Sequence, residues 1–248
     1  INMKILVCVG NVPDTTTKVK FVDNKLDVSN IQWIINAWDE LALTRALELK
    51  EDAGNSISNV SVVTVGLAGV EPTIRKALAI GADDAVRIDA DPKDAYYTAM
   101  QIAHYAKENS FDLVLTGKET INYNGSQVGG MLAEALDLPF VSLATKLAIA
   151  NNVAHMEREI VGGVQVVEAA LPLVVSCAKG MAEQRIPNMR GIMAARTKPL
   201  TVIAPVAIDD LTTYVTYGLP AAKSAVKMID PSNMDELVAL LHNEAKVI

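Results

Sequence analysis

The sequence is poor in the residues on which covalent and metal chemistry rest. It has two cysteines and three histidines in 248 residues. Cys8 and Cys177 lie far apart, form no C-x-x-C pair and sit in or beside apolar runs, so they read as buried thiols of a reducing compartment. His104, His155 and His242 show no H-x-x-x-H spacing and no cysteine neighbours, which argues against a metal centre. A G-x-S-x-G nucleophile elbow is missing too, as is an obvious Ser, His and Asp set. Positive charge is not in excess: the net charge is −7 and no basic patch stands out, which argues against a nucleic-acid surface. The pairs Asp83-Asp84 and Asp209-Asp210 read as solvated turn residues rather than acid and base. No apolar run reaches the ~18 residues of a membrane span, and no charged segment leads into a short apolar one. A soluble, cytoplasmic protein is expected, and with little covalent chemistry in view a binding or carrier module gains on an autonomous enzyme.

What is present is enough apolar material for a large core: half of the residues are hydrophobic. Lys4 to Val9, KILVCV, is the continuous β-branched run of a central parallel strand covered on both faces. Asn11 to Thr17 reads as a polar loop, and VKFVDNKLDV as a hairpin turning at Asp23 and Asn24. IINAWDELALTRALELKE follows as a helix capped by Asn36 or Asp39, with Leu43, Ala46 and Leu47 on one face. Asn59 to Val65 is a second strand. After Gly66 and Gly69 comes a helix ended by Gly81, a strand at Ala85 to Ile88, and a helix at Asp94 to Asn109. Such alternation predicts an α/β fold, a mostly parallel sheet with helices on both faces and right-handed crossovers. Ligands of these sheets bind at the carboxyl ends of strands, here the loops Cys8 to Asp14, Val65 to Gly69 and Gly117 to Ser126.

The third loop is the most informative. In GKETINYNGSQVGGM, Gly117 to Met131, a polar glycine-bearing loop joins the strand run Asp112 to Thr116 to the helix VGGMLAEAL, with Ser126 as the expected N-cap. A helix N-terminus offers N–H groups without intrahelical partners and the positive end of the dipole, both suited to a phosphate. Gly125, Gly129 and Gly130 lack a Cβ and so leave room for that phosphate, or else for tight packing of helix on strand. Neither a Walker A loop nor a G-x-G-x-x-G turn is present.

Beyond Pro139 the pattern changes. Three short runs separated by Asn151-Asn152 and Gly162-Gly163 predict an antiparallel extension on one edge of the sheet, and LPLVVSC returns as a buried strand. Ala178 to Arg190 reads as a long exposed loop bearing Arg185, Met189 and Arg190. Met189 is there either an incidental surface residue or a docking anchor. Ala204 to Ala225 reads as an extended linker before a terminal helix capped by Ser232 or Asn233. That helix carries an apolar stripe of Met234, Leu237, Leu240 and Leu241 to be buried in cis or on a partner.

Taken in register, these segments resemble the beta subunit of electron transfer flavoprotein. The likeness rests on MKILVCVGNVPD, IINAWDELALTRALELKE, TIRKALAIGADDAVRI, GKETINYNGSQVGGM, and MEREIVGG with RIPNMRGIMAARTKPL, and runs from Met3 to about Val202. The resemblance implies a fold like adenine-nucleotide-binding domains (alpha-hydrolase-like, Rossmann-like) over residues 1–203. It assigns 204–248 to a linker and a C-terminal helix packing on the partner subunit. It also implies a heterodimer with an alpha subunit holding most of the FAD, AMP bound structurally in this chain, and electron transfer from acyl-CoA-type dehydrogenases to a quinone oxidoreductase. Carried over by position, Cys8 lines the pocket from the first strand, Asn36, Ala37, Trp38 and Asp39 flank the adenosine, and Val65 follows from the second strand. Gly117 with Asn122, Tyr123, Asn124, Gly125, Ser126, Gln127, Val128 and Gly129 wraps the phosphate, and Arg185, Met189 and Arg190 dock partner dehydrogenases. The sequence departs from the family pattern at Gly10, commonly Lys, at Ala37, commonly Pro, and at Val128, where AMP-binding members usually have Thr. The alternatives are an electron-bifurcating type with a second FAD and NADH oxidation, and a stress-type ATP-binding homodimer.

Overall fold

The computed structural model describes residues 2–23 and 25–248; the expected turn residue Asn24 lies outside them. In chain order the strands and helices are β1 (Met3–Cys8), β2 (Asn11–Pro13), β3 (Phe21–Val22), β4 (Lys25–Leu26), β5 (Trp33–Ile35), α1 (Ala37–Glu51), β6 (Ile57–Val65), α2 (Glu71–Ile80), β7 (Asp84–Ile88), α3 (Ala95–Asn109), β8 (Leu113–Gly117) and α4 (Val128–Leu136). There follow β9 (Phe140–Ala150), β10 (Val153–Ile160), β11 (Gly163–Ala170), β12 (Leu173–Cys177), α5 (Met189–Ala195), β13 (Leu200–Ile203) and α6 (Met234–Leu240).

Nine strands form one sheet in the order β11-β10-β9-β12-β8-β1-β6-β7-β13. From β9 to β13 all neighbours are parallel, while β9, β10 and β11 pair antiparallel, as the hairpin signals predict. KILVCV does occupy the centre, and its apolar continuity has a simple cause. Ile5 and Val7 point into the core under α1 and α2, whereas Leu6 and Cys8 point into the core under α3 and α4. A strand buried on both faces has no position for a polar side chain.

The chain leaves β1 toward β6 and β7 on one side, then returns to β8 and β12 on the other. The reversal lies between β1 and β8. At such a switch point the connecting loops diverge and leave a crevice at the carboxyl ends of the strands.

Several local expectations are corrected. Asn11–Pro13, expected within a loop, pairs with Trp33–Ile35 as β2 and β5. Asp83 is no free turn residue: it binds Lys50 Nζ at 2.6 Å and the Val60 N–H at 2.7 Å. Met189 and Arg190 start helix α5 instead of ending a loop, because Asn188 caps it by accepting the Gly191 N–H at 2.8 Å.

One compact unit comprises the residues up to 18 together with 28–214, past the expected boundary at 203. Its last stretch is strapped down by Gln101, which donates to the Val206 carbonyl at 2.7 Å and accepts from the Val206 N–H at 2.9 Å. Thr212 adds a hydrogen bond to Asp94. The second unit comprises 19–27 and 215–248. In it Phe21, on the β3–β4 hairpin, stacks on Tyr217 with centroids 5.2 Å apart. Asn233, one of the two expected caps, accepts the Glu236 N–H at the start of α6, and no residue of α6 is buried. Among the described residues no helix is long and apolar enough to cross a membrane.

Candidate functional site

A cleft of about 840 Å³ opens at the switch point. Its floor is the ends of β1, β6 and β8, at Cys8, Val65 and Thr116-Gly117, and one wall is the loop from Lys118 to Gln127 with the first turn of α4. Of the residues expected around the adenosine and phosphate, Cys8, Asp39, Val65, Gly117, Asn122, Tyr123, Gly125, Ser126, Gln127, Val128 and Gly129 line it. Asn36, Ala37, Trp38 and Asn124 do not.

The first turn of α1 explains this split. Asn36 occupies the N-cap position but makes no capping bond with its side chain. It donates instead to the Glu119 carbonyl at 2.8 Å and accepts the Ile121 N–H at 3.1 Å. Asp39, the other expected cap, accepts the N–H of Gly10 and that of Gly117, each at 2.8 Å. Two side chains that could have closed a helix therefore tie two loops to it. Trp38 supports the same wall from behind, with Lys118 Nζ 4.6 Å from its ring centroid.

Both glycines lie close to the Asp39 carboxylate, Gly117 too close for any side chain and Gly10 close enough to make one tight. A Cβ on Gly117 would lie 2.3 Å from Asp39 Oδ1, and one on Gly10 3.2 Å from Oδ2. The departure at position 10 thus has a local reason. Asp39 is 6% exposed, and burial pushes its carboxyl up to about 7 against the pull of its hydrogen bonds to Gly10, Asn36 and Gly117. Burial likewise pushes the thiols of Cys8 and Cys177 up, with Asp39 adding to both, so neither free cysteine is a nucleophile.

In the β8–α4 loop Asn124 and Ser126 both have left-handed backbone, at φ 51° and 52°. Ser126 is not the cap. Gln127 takes that position without a side-chain bond, and Ser126 Oγ donates to Glu119 at 3.0 Å. Glu119 in turn pairs with Lys118 at 3.0 Å, which lowers its carboxyl. Because the helix start has no side-chain cap, its first N–H groups remain available to a ligand. Beside it, Thr116 is buried and its Oγ1 has no hydrogen-bond partner among the described residues.

The glycines divide their roles. A Cβ on Gly129 would come within 3.0 Å of both Phe140 and Thr116 Oγ1, so this glycine serves close packing, while Gly125 has nothing nearer than 3.8 Å. The cleft also has a wall not expected from the sequence, the β7–α3 segment with Asp91, Pro92, Lys93, Asp94, Ala95 and Thr98. Its position after a parallel strand was the available signal.

The expected docking residues fall outside the cleft. Arg185 spends its fork on Glu51, with both bonds at 2.7 Å, and Gln184 binds the buried Glu40 at 2.8 Å. These bonds tie the loop to α1. Met189 remains 73% exposed, between Ile186 and Met193, which are also exposed, and Arg190 is exposed beside it.

Comparison with known proteins sets this geometry in context. A sequence-family profile described as the electron transfer flavoprotein domain matches residues 24–208. The chain is 37% identical to the electron transfer flavoprotein subunit beta of Bacillus subtilis, over 99% of this chain and 100% of that protein. It is 35% identical to the protein of the same name from Syntrophomonas wolfei, over 99% and 98%. With the human protein of that name it shares 31% identity over 82% of each.

Proposed function

Since this chain belongs to the electron transfer flavoprotein family, we propose that it is the beta subunit of a heterodimer that carries electrons from acyl-CoA-type dehydrogenases to a quinone oxidoreductase in the cytoplasm. AMP occupies its cleft as a structural nucleotide, and the alpha subunit holds most of the FAD. The electron-carrying chemistry is that of the FAD; the residues of this chain bind, brace and dock.

The observation that carries the nucleotide assignment is the uncapped start of α4 beside the buried, unpartnered Thr116 hydroxyl. N–H groups of the first turn bind phosphate oxygens, and the helix dipole favours their charge. Side-chain cations contribute little, because Lys118 is committed to Glu119 and Lys93 to Asp210. Cys8 and Val65 supply an apolar floor, and Gly125 leaves space for the ligand. Tyr123, Ser126, Gln127 and Val128 complete the wall.

Met189 anchors the partner dehydrogenase, an unbranched thioether suited to pockets of more than one shape. Arg190 provides charge beside it, and Arg185 holds the loop in position. Met189→Ala is expected to lower electron-transfer efficiency with the cognate dehydrogenase by roughly tenfold, about 1.4 kcal/mol, while bound nucleotide is unchanged. Unaltered kinetics would remove the anchor role. The stripe of α6 packs on the alpha subunit.

One feature supports a bifurcating type as the second reading: Val128 brings no hydroxyl to the first turn. Co-purification with the alpha subunit, followed by release and chromatographic counting of nucleotides, decides between them. FAD and AMP in equal amounts are expected. Twice as much FAD with no AMP would overturn the simple carrier, and Mg²⁺-dependent ATP turnover by the isolated chain would point to a stress-type protein.

A further inference from the structure

We propose that Asp39 is a proton-linked clasp of the cleft, so that an anionic nucleotide enters together with a proton taken up at this carboxyl. The inference rests on the nucleotide reading above and adds a regulatory property to it.

Asp39 is, among the described residues, the one side chain hydrogen-bonded to both the β1–β2 loop and the end of β8, through the N–H groups of Gly10 and Gly117. Both loops carry glycine where its oxygens come close. The residue lines the cleft although it is almost wholly buried. An ionised carboxylate here, itself almost wholly buried, would face the phosphate of the ligand within one cleft, and like charges poorly screened by water disfavour one another.

Hydrogen bonds to Gly10, Asn36 and Gly117 favour the charged form of Asp39, yet burial outweighs them and the charged groups nearby are engaged elsewhere. From β1 and β12 it meets the thiols of Cys8 and Cys177, both held neutral by burial. On α1, Glu40 is turned to Lys76 and Gln184, and Arg45 to Glu48 and the Leu147 carbonyl. After β8, Lys118 and Glu119 pair with one another. Among the described residues no cation is bonded to the Asp39 carboxylate.

Proton and nucleotide therefore favour one another, and linkage makes the effect reciprocal. With the carboxyl of the free protein pushed up to about 7, it is largely protonated below neutrality and binding costs no proton uptake there. Above neutrality each bound anion must bring a proton, and affinity falls by up to about tenfold per pH unit until the liganded form also ionises. The second ionisation of a phosphomonoester, near pH ~6, is about nine-tenths complete at pH ~7, where this window opens.

The test uses the heterodimer stripped of nucleotide by charcoal. AMP is titrated calorimetrically at pH values from ~7 to ~8.5, in buffers of different ionisation heat, with adenosine as the uncharged probe. Expected are proton uptake with AMP, an affinity for AMP that falls several-fold over this range, and a flat profile for adenosine. Asp39→Asn should flatten the AMP profile. The proton count on the unaltered protein keeps the test decisive if that variant folds poorly. AMP binding without proton uptake and with no pH dependence would overturn the clasp alone. Failure of AMP to bind at any pH, with FAD taken up instead, would overturn the AMP reading and the clasp with it.

Discussion

The nine-stranded sheet is built on different physics on the two sides of β9. On the parallel side all five residues of β12 are buried, as are the last four of β1. On the antiparallel side no residue of β11 is buried, and Val161 at the β10–β11 turn, with Val164 and Val166 on β11, stands in solvent. The parallel half closes its own core and can therefore hold two loops in fixed register over a cleft. The hairpin half has one neighbour strand and no helix over its outer face. It buries Ala154 and Met156 on β10 but leaves Val161, Val164 and Val166 exposed, an apolar patch of the kind that marks protein contacts.

The sharpest way to break the parallel half is at its tightest contact. Gly117→Ala would drive a Cβ to within 2.6 Å of Trp38 Cβ as well as into the Asp39 carboxylate. A loss of about 3 kcal/mol or more is expected, because helix and strand must separate, and bound nucleotide should be lost as well. The matched change across the sheet is Gly163→Ala, where nothing lies within 4 Å; its effect should stay within about 0.5 kcal/mol. Urea midpoints of the two variants check the contrast, and equal midpoints would remove it.

Truncating apolar side chains gives the second comparison. Leu6 is 0% exposed and Val166 71%. Leu6→Ala should cost about 2–5 kcal/mol, and Val166→Ala almost nothing in the isolated chain. If Val166 is covered by the alpha subunit, the same change should weaken heterodimer formation, measurable by sedimentation. An unchanged association constant would leave the exposed valines without an interface.

Asp39 gives a pH signature confined to the parallel half. Its folded carboxyl, up to about 7, lies above the ordinary value of 3.8. The folded chain thus holds a proton that the unfolded chain releases as pH rises through ~4. Stability should decline as pH rises from ~4 to ~7, by at most about 1.4 kcal/mol per unit, and level off above. Asp39→Asn should abolish that slope in denaturation series. A variant that keeps it would assign the slope to other groups.

How far these features were legible depends on how local their causes are. KILVCV, the Asn151-Asn152 and Gly162-Gly163 turns, and the helix stop at Gly81 are decided by neighbours in sequence, and they stand where expected. In the sequence Asn36 and Asp39 look like caps because only their local alternatives are visible there. Their actual partners, Glu119, Ile121 and Gly117, are about eighty residues away. The pairing of Arg185 is hidden for the same reason, since Glu51 comes from α1. β2 and β5, at three residues each, and α5, at seven, are too short to show a period. The β7–α3 wall escaped because Asp91 to Asp94 has no glycine to draw attention to a loop, although its place after a parallel strand was sufficient ground.

The smallest expected effect is on the hairpin side, at the pair Lys146 and Glu157, 2.9 Å apart with side chains 69% and 36% exposed. Both strands already pair through their backbones here, so the ion pair adds only screened Coulomb energy, less the entropy of fixing two long side chains. A double-mutant cycle with Lys146→Met and Glu157→Gln should return a coupling of about 0.5 kcal/mol or less, and less still in high salt. Because Glu157 has this partner within the chain, Glu159, which has no ion-pair partner among the described residues, is the one of the two left to pair with a cation of the alpha subunit. Glu159→Gln should then leave the isolated chain unchanged and loosen the heterodimer in a salt-sensitive way, whereas Glu157→Gln should do neither. The reverse pattern would mean that Glu157 exchanges Lys146 for a cation of the partner on assembly.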